Sequence, residues 1–116
     1  MKDARRRPRD VVDQYLPVLN RETGELVGYL TDVNVDGGML QTEEPIEEGQ
    51  VFPLRMELDR QIKGSRHIDV DAKSVWSRKD RNAVFHRIGF QFQSVSPDVR
   101  EQIAELAERY RLIDAG

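Results

Sequence analysis

The chain has 116 residues, a formal charge of −3, 38% apolar and 34% charged residues, and no cysteine. That length suits one domain whose core needs no staples, and the missing cysteine excludes disulfides, thiolate catalysis and sulfur-held zinc. No apolar run is long enough to span a bilayer and nothing near Met1 resembles an export signal, so the expected location is the cytoplasm, without membrane insertion.

Charge is uneven along the chain. Lys2, Arg5, Arg6, Arg7 and Arg9 face only Asp3 and Asp10 in the first ten residues, a local +3 that leaves −6 for the remainder. Residues 1–13 carry no apolar period and include Pro8, which predicts a flexible basic arm. The acidic body would repel a long polyanion, so no DNA or RNA partner is expected, while the arm could hold a small anion. A solvated basic tail without a ligand is the plain alternative.

Tyr15, Leu16, Val18 and Leu19 predict a first strand, with Pro17 favouring an edge or strand end. A turn at Arg21-Glu22-Thr23-Gly24-Glu25, with Gly24 free to take positive φ, leads to a second strand from Leu26 to Asp32. Asn34, Asp36, Gly37 and Gly38 form a loop. A short strand from Met39 to Thr42 and an acidic connection over 43–49, with Ile46 dipping inward, come next. Strand four runs from Gln50 or Val51 to Leu58, where Phe52, Leu54, Met56 and Leu58 alternate with polar positions.

Residues 59–66 read as a polar hairpin connection. In strand five, Ile68, Val70, Ala72, Ser74 and Trp76 are expected on one face. After a turn at Asp80-Arg81-Asn82, strand six carries Ile88, Phe90 and Phe92, with Gly89 allowing a bend or a close backbone approach. Six antiparallel strands bury their edges best by closing up. Ser96 suits a helix N-cap, Pro97 the first helical position and Asp98 the first turn. Val99, Ile103, Leu106, Tyr110 and Ile113 draw one apolar stripe, for the barrel or for a partner. The expected fold is therefore mainly β, a six-stranded antiparallel β-barrel with a C-terminal α-helix over 97–113. It forms a single domain over 14–116 behind the arm at 1–13, as a monomer or weak dimer.

Catalytic constellations are missing from the sequence. His67 and His86 lack a metal-ligand spacing and read as exposed strand residues. Asp69 and Asp71 share a strand face without an evident partner, and neither a nucleophile elbow nor a phosphate loop occurs. A binding module, not an enzyme, with no cofactor, is the expectation. Arginine offers a planar fork to phosphate oxygens or to O6 and N7 of guanine. Asp32 can accept from guanine N1 and N2, Asn34 offers a donor and an acceptor, and Gly37 permits a positive φ or a close ligand approach. The arm and the Asp32 corner thus suit one anionic, guanine-bearing ligand.

At these residues the chain resembles the PilZ domain family, bacterial receptors for cyclic diguanylate (cyclic di-GMP). Arg5 and Arg9, with Pro8 between them, match its Arg-x-x-x-Arg motif. Asp32 and Gly37 match Asp/Asn-x-Ser-x-x-Gly, with Asn34 where serine is usual. Arg87-Ile88-Gly89-Phe90-Gln91-Phe92, running into Ser96-Pro97 and the helix, resembles the family's close. The resemblance implies a PilZ-like barrel that binds cyclic di-GMP through Arg5, Arg6, Arg9, Asp32, Asn34 and Gly37, with Trp76 where some members stack an aromatic on a base. The arm would order over the barrel mouth and the change would be read by an unidentified protein partner. A degenerate interaction adaptor that binds no nucleotide is the alternative.

Overall fold

In the computed structural model, residues 16–79 and 81–115 are described, with side chains through residue 109. The strands are β1 (Leu16–Asn20), β2 (Leu26–Asn34), β3 (Gly37–Thr42), β4 (Val51–Ile62), β5 (Ser65–Arg78) and β6 (His86–Gln93), followed by the helix α1 (Pro97–Ala115). All neighbouring strands are antiparallel and close into a barrel in the order β1-β2-β3-β6-β5-β4. The expected six-stranded barrel with its C-terminal helix is what forms. Tyr15 and the arm lie outside the described residues.

Two-residue alternation builds the core. Val18, Leu30, Leu40, Leu54, Met56, Ile68, Ala72 and Ile88 point inward and are almost completely buried, while their chain neighbours face out. Closure leaves no sheet edge exposed, which a free six-stranded sheet would have to guard. The β1–β2 hairpin turns at Gly24, whose φ is +77°, and Asn20 Oδ1 accepts from the Glu22 and Thr23 amides at 2.8 and 3.3 Å. Ser74, buried on β5, donates to the Glu47 carbonyl and accepts from the Gln50 amide at 3.1 Å. This anchors the acidic 43–50 connection, and Ile46 packs on the core as expected.

Ser96 caps α1, its hydroxyl accepting from the Val99 amide at 3.3 Å. Ile103, Leu106 and Ala107 are buried, so this part of the apolar stripe lies against β2, β4 and β5. Gln102 donates to the Ile62 carbonyl at 3.3 Å, and Lys63 pairs with Glu101 at 3.7 Å. No helix among the described residues is long and apolar enough to cross a membrane.

Several expectations need correction, among them the loop at Asn34, Asp36, Gly37 and Gly38, which shrinks to Val35-Asp36 because Asn34 ends β2 and Gly37 and Gly38 begin β3. Residues 59–66 are not a polar connection, because β4 continues to Ile62 and β5 begins at Ser65, leaving Lys63-Gly64 as the turn. Both turn residues have positive φ, 52° and 79°, the geometry whose twist matches a two-residue hairpin. Trp76 does not share the inward face of Ile68, Val70, Ala72 and Ser74. The β5–β6 register slips between Ser74 and Trp76, so Val75 is the extra residue of a bulge and Trp76 turns to the outer wall. Asp69 and Asp71 do have partners: Arg55 grips Asp69 at 2.8 and 3.0 Å, and Arg21 reaches Asp71 at 2.8 Å. The Arg55 hydrogen bond holds the Asp69 carboxyl below the usual carboxylate range, against a smaller desolvation effect. Finally, His67 is exposed beside Glu57 at 3.5 Å, but His86 is half-buried.

Candidate functional site

β2 and β3 meet at a two-residue turn, Val35-Asp36, with Asn34 opposite Gly37. Asn34 Oδ1 accepts from the Asp36 amide at 2.8 Å and from the Gly37 amide at 3.1 Å, the side-chain turn that asparagine forms readily. Its acceptor is thereby used within the loop. Its Nδ2 has no hydrogen-bond partner among the described residues. On β2, Val33 is buried while Asp32 and Asn34 point outward. One Asp32 oxygen accepts from the Val33 amide at 2.9 Å, and the other has no partner among the described residues.

Strand register turns these separate positions into a surface. Asp32 pairs with Met39, Met39 with Gly89 and Gly89 with Trp76, one row across four strands. The next row runs Asn34, Gly37, Gln91 and Lys73. With strands about 4.8 Å apart, Asp32 and Trp76 stand roughly 14 Å from each other. Gly37 and Gly89 contribute no side chains, so the wall is low between them. A hollow of about 510 Å³ results, bounded by Asp32, Asn34, Asp36, Met39, Trp76 and Gln91 and floored by the glycines, within the range of small-molecule sites.

The two glycines serve different contacts. Gly37 is not in the left-handed region and does not shape the turn by positive φ, contrary to one expectation. A Cβ there would collide with the Phe90 carbonyl oxygen, so glycine is required by the close approach of β6. At Gly89 the approach is made by the Trp76 ring, not by backbone. Arg78, two residues beyond Trp76, lies over the indole with its Cζ 5.6 Å from the ring centroid, in the cation–π range.

Asp32, Asn34, Gly37 and Trp76 are therefore brought together, while Arg5, Arg6 and Arg9 lie outside the described residues. The hollow is on the outer wall beside the turn, not in the barrel mouth, because the interior is filled by Val33, Leu40 and Phe90. Sequence reasoning missed Asp36, Met39 and Gln91. The outward phase of Gln91 is visible from its buried neighbour Phe90, but its place beside Gly37 depends on the β3–β6 pairing. A second hollow of about 530 Å³, between α1 and the turn, is lined by Glu101, Glu105 and Glu108 with Lys63, a carboxylate-rich rim that disfavours an anion.

The described chain begins at Leu16, opposite Leu30 and on the strand adjoining Asp32. Residue 9 is seven positions earlier, so an extended segment of that length reaches about 23–25 Å, more than the width of the hollow. Among the described residues no group of three or more His, Asp or Glu side chains could hold a metal ion.

A family model described as PilZ domain matches residues 3–109. Among solved structures, the Bacillus subtilis inhibitor of motility, MotI/DgrA, superposes with a TM-score of 0.69 at 13% identity, over 85% of this chain. This chain spans only 47% of that one. The PilZ domain of YcgR from Escherichia coli, solved with c-di-GMP, gives a TM-score of 0.62 at 20% identity, covering 87% of this chain and 86% of the other. No curated protein matches.

Proposed function

The chain belongs to the PilZ domain family, and from that premise we propose that it is a receptor module for cyclic di-GMP and not an enzyme. The observation that carries this reading is the gathering of Asp32, Asn34, Gly37 and Trp76, from three strands, around one open hollow with a glycine floor. Each has a part that its free atoms permit. The Asp32 carboxylate accepts from guanine N1–H and N2–H, one to each oxygen, because the oxygen bound to the Val33 amide keeps a second acceptor site and the other has no partner among the described residues. Asn34 retains its Nδ2 as a donor. The glycines let the sugar-phosphate ring lie close to the backbone, and Trp76 gives a base a flat apolar face, a contact typically giving ~1–3 kcal/mol.

The hollow itself supplies carboxylates rather than cations, so the ligand's phosphates need donors from elsewhere. Arg5, Arg6 and Arg9 are those donors in this proposal, forking onto phosphate oxygens or guanine O6 and N7. The chain's entry at Leu16, beside β2, supports their reach. Holding the arm on the ligand costs roughly 1–2 kcal/mol per residue fixed, which the charge-assisted contacts must exceed. The ordered arm and outer wall then form a surface for a protein partner to read.

Titration calorimetry of cyclic di-GMP into the wild-type chain, Arg9→Ala and Asp32→Ala tests the assignment. Each substitution is expected to weaken binding about ten- to a hundredfold, since one bidentate contact is worth ~1–3 kcal/mol. Unchanged affinity in both variants would remove the site. No heat with the wild-type chain would instead leave the nucleotide-free adaptor.

A further inference from the structure

Trp76 is the only tryptophan in the chain, and its two ring faces have different neighbours. A Cβ built on Gly89 would overlap Nε1, Cε2 and Cδ1 together, which happens beneath the face of the five-membered ring. An edge-on indole would be met chiefly through one atom. One face is thus closed by the β6 backbone, so the guanidinium of Arg78, 5.6 Å from the centroid, covers the other. Arg78 is exposed and has no ion pair among the described residues.

A base that stacks on Trp76 consequently has one place to go, the place Arg78 now holds. The guanidinium must either be expelled or step outward by one ring thickness and rest on the far side of the base. Its chemistry favours the second course. Guanidinium is planar, weakly hydrated and stacks on π faces, its stem is long and flexible, and an anionic ligand attracts it. The two-residue spacing in β5 keeps it on the same outer wall as Trp76, while the carboxylates Asp32 and Asp36 stand at the opposite end of the hollow.

Resting on the receptor reading above, we infer that Arg78 is a ligand-contacting residue: it closes the outer face of a purine stacked on Trp76, so that the base is held between indole and guanidinium. The free protein keeps the indole covered by the same group that later covers the base. A purine, with its larger π face, gains more from both partners than a pyrimidine does.

Calorimetric titration of cyclic di-GMP into the full chain, as wild type, Arg78→Ala and Arg78→Lys, tests this at about 0.1 M and about 1 M salt, between which the screening length falls from ~10 to ~3 Å. Arg78→Ala is expected to bind about tenfold more weakly and Arg78→Lys to recover only part of the loss, because ammonium lacks the planar face. The difference between wild type and Arg78→Ala should persist at high salt. Equal or tighter binding by Arg78→Ala would mean that the guanidinium is simply expelled, overturning the inference while leaving the receptor reading intact. A loss restored fully by lysine and erased by salt would reduce Arg78 to a distant charge, with the same consequence. Absence of binding by the wild-type chain would overturn both.

Discussion

At Gly89 a missing side chain positions the site: the Trp76 indole lies flat on the outer wall because nothing stands between it and the β6 backbone. Gly89→Ala should lift the ring, since the obstacle would be a rigid Cβ beneath an aromatic face. The expected outcome is an altered emission of the single tryptophan and a nucleotide affinity reduced about tenfold or more, with cooperative unfolding retained. An unchanged spectrum together with unchanged affinity would show that the ring's seat does not matter. Gly37 stands differently, because its contact is the Phe90 carbonyl. There a methyl group would press backbone on backbone, so the same substitution is a test of strand pairing and not of the site. Asn34 also looks two ways, with its oxygen closing the turn and its nitrogen without a hydrogen-bond partner among the described residues.

At the scale of elements, α1 is fixed by its first turn and by its buried face. Ser96 supplies the Oγ that accepts from the Val99 amide, and Ile103, Leu106 and Ala107 bury the stripe on the barrel. Loss of a cap of this kind typically costs about 1 kcal/mol. Urea unfolding of Ser96→Ala should show that decrease with an unchanged m-value, and no effect on nucleotide affinity, because the hollow is formed by β2, β3, β5 and β6. A strong fall in affinity would tie the helix to the site. The β4–β5 hairpin shows how an element can outrun its composition. The polar residues Asp59, Arg60 and Gln61 stay in strand because Ile62 is buried beyond them and Lys63-Gly64 takes a tight left-handed turn.

For the whole molecule, a closed barrel couples the site to global stability. The hollow spans four neighbouring strands, so unfolding destroys it and a ligand bound there must stabilise the native state by mass action. At a hundredfold excess over Kd the gain is about 2.7 kcal/mol, and the melting temperature of the full chain should rise by several degrees. In Asp32→Ala at the same concentration the rise should shrink by about half or more, following the weakened affinity. An equal rise in both proteins would place the nucleotide elsewhere on the molecule.

Local patterning was enough to read much of this architecture from the chain. The alternation in β4 and β6, the Gly24 turn, the Ser96-Pro97 helix start and the motif residues around Asp32 all depend on neighbours a few positions apart. The site's shape did not, because it arises from register between distant strands: Met39 beside Gly89, and Gly37 beside Gln91. A single inserted residue at Val75 sent Trp76 outward, against the phase of Ile68 to Ser74. A period of two assigns faces only while pairing stays in step, and a bulge breaks that step through hydrogen bonds to another strand. Sequence therefore determined where each strand has its centre, though not every strand end, and which residues carry suitable chemistry. Tertiary structure decided which of them share a wall, since that depends on pairings that no local pattern encodes.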